Sequence, residues 1–271
     1  MQREPVVGQL SEVWASIVAA CRGIGTDQWE RPTDCPGWTV KDQLSHLIGV
    51  ERMVDGEPPP AALTELPAYV ANPFGAVNEA WVASRRGVPG PLVLDEFEQI
   101  TRHRIEVLEH TDEEGFAVVG WSPVGEVPLR EFMRTRLIDS WAHEQDIRRA
   151  LDRPGGRNGS GEAAVLDQCM GAMPFVVGKR AAPPDGTVVR CVLRPLERTA
   201  TVVMVDGRAV LTTDEAAGLL TPAVTLSLDQ QAFWRLCYGR VAAGSLGSDE
   251  VDLVGDTDLG QRILDSMAFM M

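Results

Sequence analysis

A chain of 271 residues with 44% hydrophobic residues is long enough for two domains and apolar enough to bury a core in each. Its 25 basic and 39 acidic residues leave a formal charge of −14, which argues against nucleic acid, where basic patches supply most of the affinity. The first residues lack the basic and apolar runs of a signal peptide, and no apolar run approaches the roughly 20 residues of a membrane span, so a cytoplasmic protein without a membrane partner is expected.

Residues 1–150 carry the helical period. Val6 to Cys21 is a first amphipathic stretch, and Asp27 to Trp38 a loop crowded with Pro, Gly and Trp. Thr39 is placed to cap a second helix, with Asp42 in its first turn. Pro58-Pro59-Pro60 interrupts the chain, and Asn72–Arg86 and Leu92–Glu109 read as two further helices. Strand-like Phe116-Ala117-Val118-Val119 follows, and then Pro128 opens the strongest helix, Leu129 to Leu151. Four main helices with long crossovers predict a bundle, whose core is a usual place for a metal site.

The glycine-rich stretch 152–160 predicts the boundary between a domain over 1–152 and one over 161–271. After it the pattern predicts a helix over Glu162–Val177 and strands over 187–194, 200–205, 208–212, 224–228 and 251–254. Asp206-Gly207 marks a tight hairpin turn, Asp229 caps a helix over 230–237, and a last helix spans 258–268. A small α+β domain with one antiparallel sheet is expected.

The five cysteines are odd in number and form no CxxC pair, which predicts reduced thiols. Cys35, in Asp34-Cys35-Pro36-Gly37-Trp38, has the most distinctive setting. It reads either as a reactive thiol or as a small residue buried in a tight turn, the second being the more frequent case. Of the four histidines, His103 and His110 sit in a charged helix and read as solvated or structural. His46 and His143 lie among apolar neighbours. In Asp139-Ser140-Trp141-Ala142-His143 a carboxylate and an imidazole fall one turn apart on one helical face, close enough to share a divalent ion. Asp146, three residues beyond His143, competes for the same place or else orients the imidazole or pairs with Arg148 or Arg149. Two histidines and one carboxylate leave coordination positions open for a water, a thiol or a substrate.

Trp29-x-x-Pro32-x-x-Cys35-Pro36-Gly37-Trp38-Thr39-Val40-Lys41-Asp42-x-Leu44-x-His46 resembles the start of mycothiol-dependent maleylpyruvate isomerases and their actinobacterial relatives, within the DinB-like thiol-dependent metalloenzymes. Arg136-x-x-Asp139-x-Trp141-x-His143-x-x-Asp146-Ile147-Arg148 resembles that family's acidic-x3-His helix. Phe233-Trp234-Arg235-Leu236-Cys237-Tyr238-Gly239-Arg240, followed by Val254-Gly255-Asp256, is similar to the sterol-carrier-like domain after the bundle. The resemblance implies an N-terminal all-α DinB-like four-helix bundle with a C-terminal α+β sterol-carrier-like domain. It implies a metal, zinc foremost, on His46, Asp139 and His143, with Asp standing where the family usually has Glu, and mycothiol as thiol cosubstrate.

The chemistry implied is activation of that thiol for S-transfer to, or isomerisation of, a small electrophile. The thiolate is the nucleophile, and a nearby divalent cation favours it over the thiol. Arg240, after a glycine turn, is a candidate to hold a carboxylate of substrate or cofactor, or else to neutralise a helix end. Trp38 and Trp141 flank the ligands as walls of the pocket or as packing. The loops Asp55–Ala71 and Asp112–Val127 are expected to shape the pocket. Two other functions fit the same residues: a non-catalytic, metal-stabilised ligand-binding protein, and a metallohydrolase with an activated water. Either a monomer or a homodimer is compatible with the sequence.

Overall fold

A computed structural model describes residues 4–122, 125–157, 159–212, 216 and 218–270. The chain divides into two compact units, Met1–Ala164 and Val165–Met271, with the change falling inside one helix. Among the described residues the strands of the first unit form one small hairpin, and its other elements are helical. Helix α1 (Pro5–Cys21) has proline at its first position, where the missing N–H costs nothing, and buries Leu10, Val13, Trp14 and Ile17. After the single turn α2 (Thr26–Trp29), helix α3 (Val40–Val54) begins with a reciprocal cap. Thr39 Oγ1 accepts from the Asp42 N–H at 3.3 Å, and the Asp42 carboxylate accepts from the Thr39 N–H at 3.0 Å. Helix α3 is buried continuously from Val40 to Glu51, which makes it the core helix of the unit. It packs on α4 (Pro73–Ala83), α5 (Gly90–Glu109) and α7 (Leu129–Leu151), while α1 packs on α5 and α7.

The strand-like composition of Phe116-Ala117-Val118-Val119 does not make a strand over its first half. Asp112 caps a short helix α6 (Glu113–Ala117) with two further acids in its first turn, and Phe116 is the buried residue of that helix. Strand pairing starts only at β1 (Val119–Ser122), which forms a hairpin with β2 (Gly125–Pro128). Part of the loop expected over Asp112–Val127, namely residues 123–124, lies outside the described residues.

In the second unit a five-stranded sheet has the order β5-β4-β3-β6-β7. Its strands are β3 (Val188–Arg194), β4 (Arg198–Val205), β5 (Arg208–Leu211), β6 (Val224–Asp229) and β7 (Val251–Gly255). The sheet is mixed rather than antiparallel, because β6 returns beside β3 in the same direction, pairing Val189 with Val224 through Arg194 with Asp229. Asp206 and Gly207 both have positive φ, 50° and 72°, as the tight β4–β5 turn needs. The helix expected over Glu162–Val177 also breaks. Helix α8 (Ser160–Gly171) stops at its glycine, and Pro174 follows in a separate turn, Met173–Phe175, that widens into a π-helical turn over Val176–Ala181. The helices Gln230–Cys237 and Thr257–Asp265 pack on the sheet, each started by an aspartate cap, Asp229 and Asp256. Among the described residues no helix is long and apolar enough to cross a membrane.

Candidate metal centre

His46 from α3 and Asp139 and His143 from α7 bring one ligand atom each to within 4.8 Å of one another. Asp139 divides its carboxylate between the two rings: Oδ2 lies 3.4 Å from His46 Nε2, and Oδ1 lies 3.4 Å from His143 Nε2. Donors about 2.0–2.2 Å from a tetrahedral ion stand about 3.3–3.6 Å apart, so these two separations fit a zinc-sized ion. His46 is buried, and neither of its ring nitrogens has a hydrogen-bond partner. Two orphaned nitrogens in the interior are costly, and a cation beside one of them removes part of that cost. The donor set, two imidazoles and a carboxylate, fits a divalent ion and leaves room for a further ligand.

Charge reinforces the geometry. Burial pushes the His46 pKa down to about 4, so at neutral pH its ring is uncharged and keeps a lone pair to donate. Burial would raise Asp139, but His46, His143 and Arg136 outweigh it and hold the carboxyl well below its usual range. For His143, burial works downward while Asp139 and Asp146 prevail and raise it.

Several neighbours set these groups in place. His143 Nδ1–H donates to Gln43 Oε1, and Gln43 in turn donates to Thr33 Oγ1 at 2.6 Å. That bond fixes the tautomer with the Nε2 lone pair facing Asp139. Asp146 is fully buried on the opposite side of the ring, its Oδ2 3.6 Å from Nδ1, so the two rival aspartates face different nitrogens of one histidine. Arg136 Nη1 donates to Asp139 Oδ2 at 2.5 Å, and its Nε to Glu51 Oε1 at 2.9 Å.

Trp38 lies against both rings, 5.0 Å from His46 and 5.9 Å from His143 between centroids. The loop that carries it is closed by the Pro32–Thr39 bridge and by Gly37 at φ 78°. The Trp38 indole N–H donates to Glu79 Oε2 at 2.9 Å, and buried Glu79 also accepts from Tyr69 at 2.9 Å and pairs with Arg86 at 2.7 Å. Tyr69 comes from the Asp55–Ala71 loop and packs on Gly37, where an added Cβ would meet its ring at 2.1 Å.

Residues 10–148, just over half of the chain, match the family model of the mycothiol maleylpyruvate isomerase N-terminal domain. The chain belongs to this family. Two uncharacterized proteins from Mycobacterium tuberculosis, strains CDC 1551 / Oshkosh and ATCC 25618 / H37Rv, are each 30% identical over 151 residues. The match takes in 54% of this chain and 56% of those proteins, so it spans about half the length of the curated relatives. A crystal structure of the mycothiol-dependent maleylpyruvate isomerase shares the fold over 93% of both chains, at 16% identity and TM-score 0.58. A mutant of that enzyme gives 15% identity and TM-score 0.57 over the same share.

The segment matched to the maleylpyruvate isomerase family contains all three candidate ligands together with Thr33, Trp38, Gln43, Glu51, Glu79 and Arg136. Trp141 also falls in it. Its indole is buried, donates to the Gly156 carbonyl at 2.7 Å and packs on Gly161, where a Cβ would approach it to 2.6 Å. Arg240 lies beyond the family match, in the second unit. Gly239, at φ 64°, ends the helix Gln230–Cys237, with the Arg240 N–H donating to the Arg235 carbonyl at 2.7 Å and its Nη1 to the Tyr238 carbonyl at 3.0 Å.

The remaining histidines are exposed. His103 Nε2 stands 3.8 Å from Asp55, and His110 Nδ1 is 2.7 Å from the Glu106 carbonyl. Cys35 sits half-buried in the Trp38 loop, its carbonyl accepting from the Trp38 N–H at 3.1 Å.

Proposed function

We propose that His46, Asp139 and His143 hold one divalent metal ion, zinc foremost, and that the protein uses a low-molecular-weight thiol, mycothiol, on a small electrophilic substrate. The observation that carries this reading is the pairing of an orphaned, buried His46 with a carboxylate whose two oxygens each stand 3.4 Å from an imidazole Nε2. Membership in the family supports the thiol. When bound, the ion supplies positive charge that favours the deprotonated form of a thiol at neutral pH.

The chain's own residues do the rest. Gln43 and Arg136 hold His143 and Asp139 in their ligating orientations. Trp38, pinned by Glu79, forms an apolar wall beside both imidazoles and excludes water from that side. The cofactor contact is best assigned to Trp38, which is only half-buried, because the Trp141 side chain is buried against Gly156 and Gly161. Arg240 is assigned to a carboxylate of substrate or thiol, its guanidinium carried at a glycine turn. In the reaction the thiol S–H bond breaks and its proton passes to solvent, while the sulfur bonds to one carbon of a conjugated double bond whose π pair moves onto the attached acceptor group. If the bond persists the outcome is S-transfer, and if the sulfur departs after rotation about the former double bond it is cis–trans isomerisation. The packing of α1, α3, α5 and α7 supports a DinB-like four-helix bundle, and the α+β second unit is assigned to the sterol-carrier-like class.

The test is metal analysis combined with a mass-spectrometric screen for adducts of electrophiles, with and without mycothiol. One equivalent of metal and thiol-dependent products are expected. Turnover in EDTA-treated protein equal to that of the metal-loaded form would contradict the reading, and hydrolysis without thiol would replace it with a metallohydrolase.

A further inference from the structure

Glu51 and Arg136 close a ring with two of the candidate ligands. His46 and Glu51 both belong to α3, and Arg136 and Asp139 both belong to α7. Going round, Glu51 Oε1 accepts from Arg136 Nε at 2.9 Å, Arg136 Nη1 donates to Asp139 Oδ2 at 2.5 Å, and the same oxygen faces His46 Nε2 at 3.4 Å. His46, Glu51 and Arg136 are buried, whereas the Asp139 side chain is 30% exposed. Behind the ring, Arg104 on α5 donates to Glu51 Oε2 at 2.9 Å and also pairs with Asp55.

A buried ion cluster of this kind is a poor choice for stability alone, since apolar residues of similar volume commonly do as well. The way Arg136 spends its donors points elsewhere. Nη1 goes to a partly exposed carboxylate, while Nη2 stays buried without a hydrogen-bond partner. A guanidinium serving only as a staple would leave no buried donor orphaned, because that omission is costly.

We propose that Arg136, anchored by Glu51, is a positioning residue that aims the Asp139 carboxylate between His46 and His143 and fixes the ligand spacing before an ion arrives. This rests on the reading of those three residues as metal ligands. Asp139 has only two side-chain torsions, and its open side lets it turn toward water. The fork of Arg136 spans both carboxylates and prevents that, which a lysine, with a single point of charge, cannot do. Glu51 lies five residues beyond His46 on the same helix, so the anchor and the opposing ligand move together. Sliding α7 against α3 breaks the clamp and the ligand set at once.

The test is cobalt(II) titration of the apo full-length protein, reading the dissociation constant and the visible absorption bands, with Tm alongside. Arg136→Lys is expected to weaken cobalt binding by about 10–100-fold and to alter the bands, as loss of a partner behind a metal ligand does. Arg104→Lys disturbs the same cluster without touching Asp139, and is expected to lower Tm while leaving cobalt affinity and bands unchanged. Should Arg136→Lys fail to fold, Glu51→Gln keeps Arg136 but loosens its anchor, and a smaller loss of affinity is expected. Wild-type affinity and bands in Arg136→Lys or, where that variant does not fold, in Glu51→Gln overturn the inference while leaving the metal site standing. So does an equal loss of affinity in the Arg136 and Arg104 variants. A wild-type protein that binds no cobalt removes the metal site and this inference with it.

Discussion

Gln43 gives His143 a defined proton: the amide oxygen takes Nδ1–H, and Thr33 stops the amide from turning over. Gln43→Leu keeps the volume and removes the acceptor, so metal affinity should fall by about 10–100-fold, measured by chelator competition, with little change in fold. Gly37 is constrained twice, by φ 78° and by the Tyr69 ring where a Cβ would go. Gly37→Ala should cost about 1–3 kcal/mol in urea unfolding and shift Trp fluorescence as Tyr69 and Trp38 move. At this scale the i, i+4 spacing made Asp139 and His143 legible, and the motif around Trp38 added His46. The partners were not. Gln43 is three residues before His46, and Arg136 three before Asp139, so the same spacing rule pointed at them. Neither carries a chemical signature of its own, and Glu79 and Glu51 read as ordinary helical acids until their burial is seen.

Helix α3 carries His46, Gln43 and Glu51, so its start matters for the site as well as for the fold. Thr39→Ala should cost about 0.5–2 kcal/mol by denaturant titration, because it exposes an unpaired N–H at the first turn. Helices were largely readable, since caps such as Thr39, Asn72 and Asp229 and the apolar period are local signals. The misreadings occurred where local signals compete. Phe116-Ala117-Val118-Val119 has strand composition, yet the Asp112 cap claims its first half for α6. Gly171 and Pro174 divided a helix that apolar spacing alone would have continued. The parallel β3–β6 pairing is a matter of chain return, which no short stretch of residues encodes.

For the molecule as a whole, the cysteines report on both units. Cys21 belongs to the first, and Cys169, Cys191 and Cys237 to the second; all four are buried. Burial pushes the Cys21 and Cys191 thiols up to about 12 and holds Cys237 well above the usual thiol range, so little thiolate forms at pH 8. Iodoacetamide at that pH should label the native protein at Cys35 alone, and all five sites should react after denaturation. Rapid native labelling of Cys191 or Cys237 would contradict the packing of the second unit. The division into a helical and an α+β part was legible from the change of period after the helix expected over Glu162–Val177, while the two compact units meet at Ala164/Val165. The candidate ligand set emerged only where two distant motifs were read together.

The most direct measurement is an anomalous-difference map from a crystal soaked in zinc. A single strong peak is expected about 2.0–2.2 Å from His46 Nε2, His143 Nε2 and the Asp139 carboxylate. No peak at that point in zinc-saturated crystals, or a peak held by other residues, would contradict the account.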